Sequence, residues 1–330
     1  MTGTAQEERA VAPTDPRPPS KGILRRRRRR AQSGPDQNAL IGHHKLTPYL
    51  LALPAVLMVL VLLAFPAMYA SWGSLFATES IGGEPHFVGL QHYIDLFTDP
   101  DFLWSINRTA VFVGGCLVIG MSLATVFAFA LNKAIGGLRF LRGLTILPYV
   151  VSGVAAAVMF RLLFNEDFGW VSRLLALFGI ENVGWFINPT LAMFAVVVAQ
   201  VWTDLPLAIL LILGGLQTVD PTLLDAADVD GASGWTRAWK ISLPLVTPQL
   251  VLATIWFSYS TMTALGVVLA MTGGGPLGAT RTLPVILYET AFRNFETHPA
   301  LAIVVVVLVL NALLTLIYFM MGRRFDIGDS

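Results

Sequence analysis

The sequence predicts an all-α integral membrane protein with six transmembrane helices, and two observations lead to this fold class. First, 55% of the 330 residues are hydrophobic and only 13% are charged, whereas an ordinary soluble domain carries about 25% charged residues. Second, the apolar residues are gathered in runs that reach the roughly 20 residues needed to cross a bilayer. The predicted spans are approximately 48–72, 109–131, 144–164, 190–215, 249–271 and 300–321.

The third span is the weakest of the six by composition, because Pro148 and Arg161 lie inside it. Proline also occurs in other spans, at Pro54, Pro66 and Pro206. Neighbouring helices in a bundle can satisfy the carbonyls that a proline frees. These prolines therefore remain compatible with a six-span transmembrane domain over residues 46–322.

Lysine and arginine predict the orientation, since they concentrate in cytoplasmic loops. The connection between the second and third spans holds Lys133, Arg139 and Arg142 with no acidic residue. Arg323 and Arg324 follow the last span directly, at the start of a short tail over 323–330. The pattern predicts a multi-pass protein of a bacterial cell membrane with both termini in the cytoplasm.

Residues 1–45 form a basic tail rich in Pro, Arg, Gln, Ser and Gly, and this composition predicts disorder. The tail contains an unbroken arginine run, Arg25–Arg30. Such a run could contact anionic lipid or nucleic acid, or act only as a solvated topology anchor. We predict membrane lipid and no nucleic acid as a partner, because the basic residues lie on a tail and not on a folded face.

The connection between the fourth and fifth spans, residues 217–248, is predicted to be cytosolic and breaks the charge trend. It carries four aspartates against Arg237 and Lys240. Asp220 is a good N-cap, Pro221 suits the first helical position, and Gly231 suits a helix end. These signals predict two short helices bent at Gly231. A helix lying on lipid headgroups is the alternative, although anionic headgroups would repel four aspartates.

The same connection resembles the EAA loop of ATP-binding-cassette importer permeases. The match runs from Asp225-Ala226-Ala227 through Gly231-Ala232 to Ile241-Ser-Leu243-Pro244. Asp225 stands where the family usually has Glu, and Ala238 stands where an aromatic residue is common. Trp235 and Trp239 can supply that bulk instead.

The resemblance implies the type I importer permease fold, in which this loop forms a coupling helix that sits in a cleft of an ATPase subunit. It also implies that two ATPase subunits, or an ATPase homodimer, bind the ATP and magnesium, and that this chain binds no cofactor. The coupling residues carried over from the motif are Asp225, Ala226, Ala227, Asp230, Gly231, Ala232, Trp235, Trp239, Ile241, Leu243 and Pro244.

Further segments resemble the carbohydrate-uptake group of these permeases, on the side of the maltose-importer F subunit and the glycerol-phosphate A-type permease. They are Tyr49–Pro54, Phe87–Tyr93 and Thr272–Pro276. This resemblance implies a second, non-identical permease subunit and an extracytoplasmic solute-binding lipoprotein that delivers a carbohydrate. The candidate contacts with that lipoprotein are Gly273, Gly274, Gly275 and Pro276.

The sequence predicts a transport subunit that is not an enzyme. The Gly273–Gly275 run lacks the Lys-Ser or Lys-Thr of a phosphate-binding loop, and no Walker-type sequence occurs. Catalytic spacing of His, Ser or carboxylate residues is also missing. Cys116 is the single cysteine, so cysteines can form neither a disulfide framework nor a metal cluster, and we predict no metal site.

Polar residues inside spans are costly, so they indicate either helix packing or a solute pathway. Asp204 falls near the middle of the fourth span, where it could be a structural acid at the Pro206 bend or a functional group. The fifth span combines aromatic and hydroxyl side chains, which suit sugar rings and hydroxyls. The candidate solute pathway consists of Gln200, Trp202, Asp204, Trp256, Ser258, Tyr259 and Thr261.

Two alternatives stay open at this point. A glycerol-phosphate or polyol importer would want bases in its cavity, but Arg161 is the only base near a span interior. An ion-coupled secondary transporter could use Asp204 as its coupling acid, yet internal repeats typical of such carriers are missing, and the loop 217–248 has no role in that scheme.

Overall fold

The computed structural model describes residues 47–78, 83–132 and 138–326, and side chains within 51–78, 83–132 and 143–322. The predicted disordered tail with Arg25–Arg30 lies outside the described residues. So do Lys133 and the last four residues of the 323–330 tail, together with the side chains of Arg139, Arg142, Arg323 and Arg324.

The chain divides into two compact units, Met1–Leu62 and Leu63–Ser330. The described part of the first unit is a helix, α1 (Thr47–Val59), which contains Pro54 and continues into a π-helical segment, Leu60–Ala64. Its apolar side chains from Leu51 onward are exposed, as expected of a segment whose solvent is lipid. The segment agrees with the predicted first span.

The described residues of the second unit are almost entirely helical, with one two-stranded antiparallel ribbon that pairs Phe76 with Phe87. Its elements are α2 (Phe65–Gly73), β1 (Phe76–Ala77), β2 (His86–Phe87), α3 (Gln91–Thr98), α4 (Pro100–Asn132), α5 (Leu138–Val150), α6 (Gly153–Leu163), α7 (Trp170–Ala176), α8 (Pro189–Leu216), α9 (Pro221–Val229), α10 (Gly234–Arg237), a π-helical segment (Ala238–Ser242), α11 (Leu243–Leu245), α12 (Thr247–Met262), α13 (Gly266–Met271), α14 (Leu283–Tyr288), a second π-helical segment (Glu289–Arg293) and α15 (Thr297–Asp326).

The core of this unit is the packing of α4 against α8 and α12. Small residues let these helices approach closely, which is how helices associate when lipid removes the hydrophobic drive. A Cβ at Gly120 of α4 would lie 2.3 Å from the Phe257 ring of α12, and one at Gly115 would touch Val197 of α8 at 3.4 Å. Any side chain at position 120 would have to displace the Phe257 ring, which is fully buried.

Four helices are each long and apolar enough to cross a membrane: Leu51–Gly73, Pro100–Asn132, Pro189–Leu216 and Thr297–Gly322. Two bent helix pairs, Gly143–Val150 with Gly153–Leu163 and Gly234–Leu245 with Thr247–Met262, raise the number to six if each pair is one span. The described residues thus give four to six candidate spans. The second helix begins nine residues before the predicted start, because α3 ends at Thr98 and Pro100 opens α4 directly.

The span predicted over 144–164 corresponds to two helices, α5 and α6, joined at a sharp bend. The chain bends by 97° between Val150 and Gly153. Pro148 has no amide hydrogen to give the preceding turn, and Ser152 takes an extended conformation with ψ 137° before α6 starts. The first turn of α6 then packs on α13, where Gly153 faces Val267.

The fifth predicted span, 249–271, is also interrupted. Helix α12 ends at Met262, and α13 starts at Gly266 after a short irregular segment. At its other end α12 starts at Thr247, two residues before the predicted span, and meets the preceding helical turns at an angle of 72°. Trp256, Ser258, Tyr259 and Thr261, the pathway residues predicted in this span, lie in α12 near the interruption.

Candidate functional site

The first half of the connection between α8 and α12 is the helix α9, and its start is as predicted. The Asp220 carboxylate accepts a hydrogen bond from the Thr222 backbone N–H at 2.9 Å, and Pro221 occupies the first turn. The hydrogen bonds from Thr222 lower the pKa of Asp220 below its usual value. The sequence signals for an N-cap and a first-turn proline are therefore confirmed.

Gly231 ends α9 in the way predicted, with a positive φ of 75°. The Gly231 N–H donates to the Asp228 carbonyl at 3.1 Å, and the Ala232 N–H donates to the Ala227 carbonyl at 2.9 Å. These two bonds form a Schellman motif. A side chain at position 231 would have open space around its Cβ, so glycine is required here by the backbone conformation and not by crowding.

The second half of the connection folds back on the first through an ion pair that the sequence did not predict. Asp228 of α9 and Arg237 of α10 form a salt bridge. The Ser233 side chain caps α10 by accepting from the Thr236 N–H. The salt bridge and the caps fix the angle of the two halves around Gly231.

The two halves expose a mixed acidic and apolar surface. Asp225, Ala226 and Asp230 are exposed, whereas Ala227 is 7% exposed and points inward. Val229, which the motif did not single out, is 89% exposed. The tryptophans of the second half form an exposed pair with ring centroids 5.3 Å apart. The remaining predicted coupling residues are half-buried at Ala232, Ile241 and Leu243 and exposed at Gly231 and Pro244.

The predicted pathway residues of α8 lie inside the chain. Asp204 is 4% exposed, and both of its carboxylate oxygens accept hydrogen bonds. Gln200 Nε2 donates to one oxygen at 2.7 Å, and the Ser260 hydroxyl of α12 donates to the other at 3.0 Å. Ser260 was outside the predicted set, because nothing local in the sequence indicates a partner 56 residues away.

The predicted residues of α12 separate into two groups. The hydroxyls of Ser258 and Thr261 are buried and donate to carbonyls of their own helix. In contrast, Tyr259 is 58% exposed, and Trp256 is half-buried with its ring 6.2 Å from that of Tyr149. Trp202 of α8 is half-buried against Phe160. Tyr259 is thus the most exposed of the predicted pathway residues in α12.

The loop Thr272–Thr282 is held down by its own hydroxyls. Thr280 Oγ1 donates to the Gly275 carbonyl at 2.7 Å and lies 2.7 Å from Thr272 Oγ1. Gly273, with a positive φ, is exposed, whereas Gly274 is buried. Gly275 and Pro276 are half-buried, and Leu277 projects from the loop with 93% of its surface exposed.

Arg281 ties this loop to two other segments. Its Nε donates to Glu289 at 2.6 Å, and its Nη1 lies 3.5 Å from Asp101 at the start of α4. Arg293 pairs with the same Glu289 at 3.4 Å. The Leu283 N–H donates to Thr109 of α4 at 2.9 Å. The loop and the residue that follows it are therefore joined to α4 at Asp101 and Thr109.

Residues 118–327 match the family described as the binding-protein-dependent transport system inner membrane component, which covers well over half of the chain. The trehalose/maltose transport system permease protein MalF of Thermococcus litoralis is 32% identical over 276 residues, 83% of this chain and 93% of that protein. The chain belongs to this family. The resemblance to importer permeases drawn from the sequence is therefore confirmed.

Other relatives are also permease subunits of transport systems. The sn-glycerol-3-phosphate transport system permease protein UgpA of Agrobacterium fabrum is 32% identical over 282 residues, 84% of this chain and 94% of that protein. The UgpA protein of Escherichia coli (strain UTI89 / UPEC) is 34% identical over 275 residues, 82% of this chain and 92% of that protein.

The permease fold is also that of a solved importer. The crystal structure of a bacterial ABC transporter involved in the import of the acidic polysaccharide alginate superposes with a TM-score of 0.71 at 20% identity, over 84% of this chain and 94% of that chain. The type I importer fold that the resemblance implied is therefore observed. The family places the chain in a membrane, as a subunit of a binding-protein-dependent transport system.

Proposed function

We propose that this permease forms half of the membrane channel of an ATP-driven carbohydrate importer. A second, non-identical permease completes the channel, two ATPase subunits or an ATPase homodimer bind ATP and Mg²⁺, and an extracytoplasmic lipoprotein delivers the solute. Both termini and the Asp220–Pro248 connection face the cytoplasm. The observation that carries the proposal is this connection, a capped helix pair with an exposed acidic and apolar face in a membrane permease.

The exposed face has the properties of a docking surface. The small side chain of Ala226 lets another backbone approach, and Val229 presents an apolar side chain to the partner. Asp225 and Asp230 add negative charge beside it. Apolar contacts surrounded by charge are typical of the energetically important centre of a protein interface. An ATPase cleft with basic residues at its rim would complement this face.

The function is tested by reconstituting the chain with its permease and ATPase partners in vesicles. We expect solute uptake that requires ATP inside and the binding protein outside, and no ATP hydrolysis by the purified chain alone. The Gly231→Asp and Asp225→Lys variants should lose the ATPase subunit on purification. Uptake that continues without any ATPase would contradict the proposal and favour an ion-coupled carrier.

We place the solute pathway at the open surface around Tyr259, with Trp256 and Tyr149 beside it. Aromatic faces stack on sugar rings and phenol hydroxyls exchange hydrogen bonds with sugar hydroxyls. Removing the ring in Tyr259→Ala should raise the KM for uptake about tenfold, whereas Tyr259→Phe should raise it only a few fold. Equal and unchanged uptake by both variants would remove Tyr259 from the pathway.

A glycerol-phosphate or polyol importer is the second candidate, and the UgpA relatives at 32% and 34% identity favour it as much as the sugar relative favours the first. An anionic solute needs bases in its path, yet Arg161, the base that the sequence placed nearest to a span interior, is exposed and lies in the last turn of α6. Competition between unlabelled maltose, trehalose and glycerol 3-phosphate in the uptake assay distinguishes the two candidates.

A further inference from the structure

Helices α8 and α12 enter and leave the cytosolic connection, and they contact each other at two levels. Near the cytosolic end, a Cβ at Gly215 would lie 2.7 Å from Gln249, so the two backbones are close there. Deeper in the chain, Asp204 and Ser260 are joined by a 3.0 Å hydrogen bond. The first level depends on glycine at position 215, which permits the close approach, and the second depends on the side chains of Asp204 and Ser260.

The two levels are equally far apart on both helices. Eleven residues separate Asp204 from Gly215, and eleven separate Gln249 from Ser260. At about 1.5 Å per residue, each arm is roughly 16 Å long. Because the two contacts are the same distance apart on both antiparallel helices, they can form at the same time. Sliding one helix along the other would break them. The pair is a closed hairpin whose tip is the connection with α9.

We propose that the Asp204–Ser260 hydrogen bond locks α8 and α12 into one rigid hairpin, so that a displacement of the cytosolic connection moves both helices together. Asp204 is then a positioning residue for coupling and not a ligand of the solute. This inference rests on the proposed function for its consequence in transport, although the rigid hairpin itself can be tested without an ATPase.

The burial of the contact supports a positioning role. Gln200, at 4% exposure, holds the second oxygen of Asp204, so both carboxylate oxygens are engaged by buried groups of the chain itself. Pro206 lies two residues further along α8 and removes one backbone hydrogen bond there. A side-chain link at this bend restrains the part of the helix that its backbone holds least firmly.

The hairpin is tested in the complete reconstituted complex by the amount of solute taken up per ATP hydrolysed. Ser260→Ala should lower this ratio about fivefold or more, with the ATPase subunit still bound. The control is Thr254→Val on the same helix, which removes a hydroxyl that donates to the Leu250 carbonyl of its own helix; it should leave the ratio unchanged. A ratio for Ser260→Ala equal to that of the control overturns the proposal, even if the KM for solute rises.

Asp204→Asn separates the hydrogen bond from the charge. The asparagine oxygen can still accept from Ser260, and its amide can donate to Gln200 Oε1, which has no partner among the described residues. This variant should keep a ratio within about twofold of the natural protein, because the hydrogen bond and not the charge joins the helices. A collapse of the ratio in Asp204→Asn would contradict the positioning role.

A second measurement keeps the hairpin testable if the proposed function fails. Spin labels at Gln217 and Leu252, both exposed, report the distance between the cytosolic ends of α8 and α12 once Cys116 is replaced by alanine. The distance distribution should be narrow in the natural background and broaden in Ser260→Ala. An unchanged distribution overturns the hairpin, whereas a missing ATP requirement with a broadened distribution refutes only the proposed function.

Discussion

The connection Asp220–Pro248 and the loop Thr272–Thr282 contrast in how they are held. The connection is joined within itself by the Asp228–Arg237 pair, and its helix α9 exposes Val229. The second loop is bound to other segments by Arg281, which contacts Asp101 and Glu289. In the proposed function, the connection is therefore the projecting helix for the ATPase subunit, and the loop is the platform for the binding protein.

The largest expected effect comes from exchanging the two most exposed apolar side chains of these regions for aspartate. Val229→Asp should weaken ATPase association by about 2 kcal/mol, roughly 30-fold, because a charge replaces an apolar interface residue. Leu277→Asp should leave ATPase association unchanged and weaken binding-protein association instead. Affinity of the purified permease pair for each partner measures both.

The two variants control for each other, since each introduces one aspartate at an almost fully exposed position. Leu277 has a positive φ of 49°, a conformation that aspartate tolerates better than leucine, so misfolding of the loop is not expected. Loss of both associations in either variant would mean that the two regions do not act separately.

The next largest effect is expected in the platform, the loop Thr272–Thr282. Arg281→Gln removes the charge that joins Asp101 and Glu289, so the loop should loosen from α4. We expect binding-protein affinity to fall about tenfold, with ATPase association unchanged. The matched variant Arg293→Gln removes a more exposed guanidinium from the same Glu289 and should change affinity less than threefold. Equal losses would show that general charge, and not the link to α4, matters.

A smaller effect is expected at the bend of the projecting helix. Gly231→Ala places a side chain at φ 75°, which costs about 1–2 kcal/mol. Gly214→Ala, near the end of α8, also meets no atom within 4 Å, but glycine there has no positive φ. We expect Gly231→Ala to weaken ATPase association at least fivefold and Gly214→Ala to leave it unchanged, as measured by the amount of ATPase retained during purification.

The smallest effect is at the departure from the family motif. Asp225 is exposed, so one additional methylene in Asp225→Glu meets no core packing. Transport-coupled ATP hydrolysis should stay within about twofold of the natural rate. A loss greater than tenfold would show that the ATPase cleft is matched to the shorter side chain, and would make position 225 a determinant of subunit pairing.

Local signals in the sequence predicted the parts of the molecule that depend on neighbouring residues. Asp220, Pro221 and Gly231 form the caps of α9 because capping is decided within a few residues. The apolar runs predicted the long helices because hydropathy is also a property of consecutive residues. The 97° bend at Ser152 was missed, since Pro148 alone does not distinguish a tolerated proline from a break.

The contacts that the sequence could not predict join residues far apart in the chain. Asp204 was recognised as costly, but its partner Ser260 lies on another helix, and only the packing of α8 on α12 brings them together. Arg281 meets Asp101 across 180 positions. Hydropathy and motif spacing describe faces and ends of elements, and they carry no information on which polar side chains pair between elements.

The most direct test of the central claim is the chemical labelling of an introduced cysteine. Cys116 is first replaced by alanine, and the Val229→Cys variant is then treated with a membrane-impermeant maleimide in inside-out vesicles. The reagent should label it readily, and the bound ATPase subunit should slow labelling about tenfold or more. Labelling only from the external side, or labelling at the same rate with and without the ATPase subunit, would contradict the assignment of Asp220–Pro248 as the coupling site.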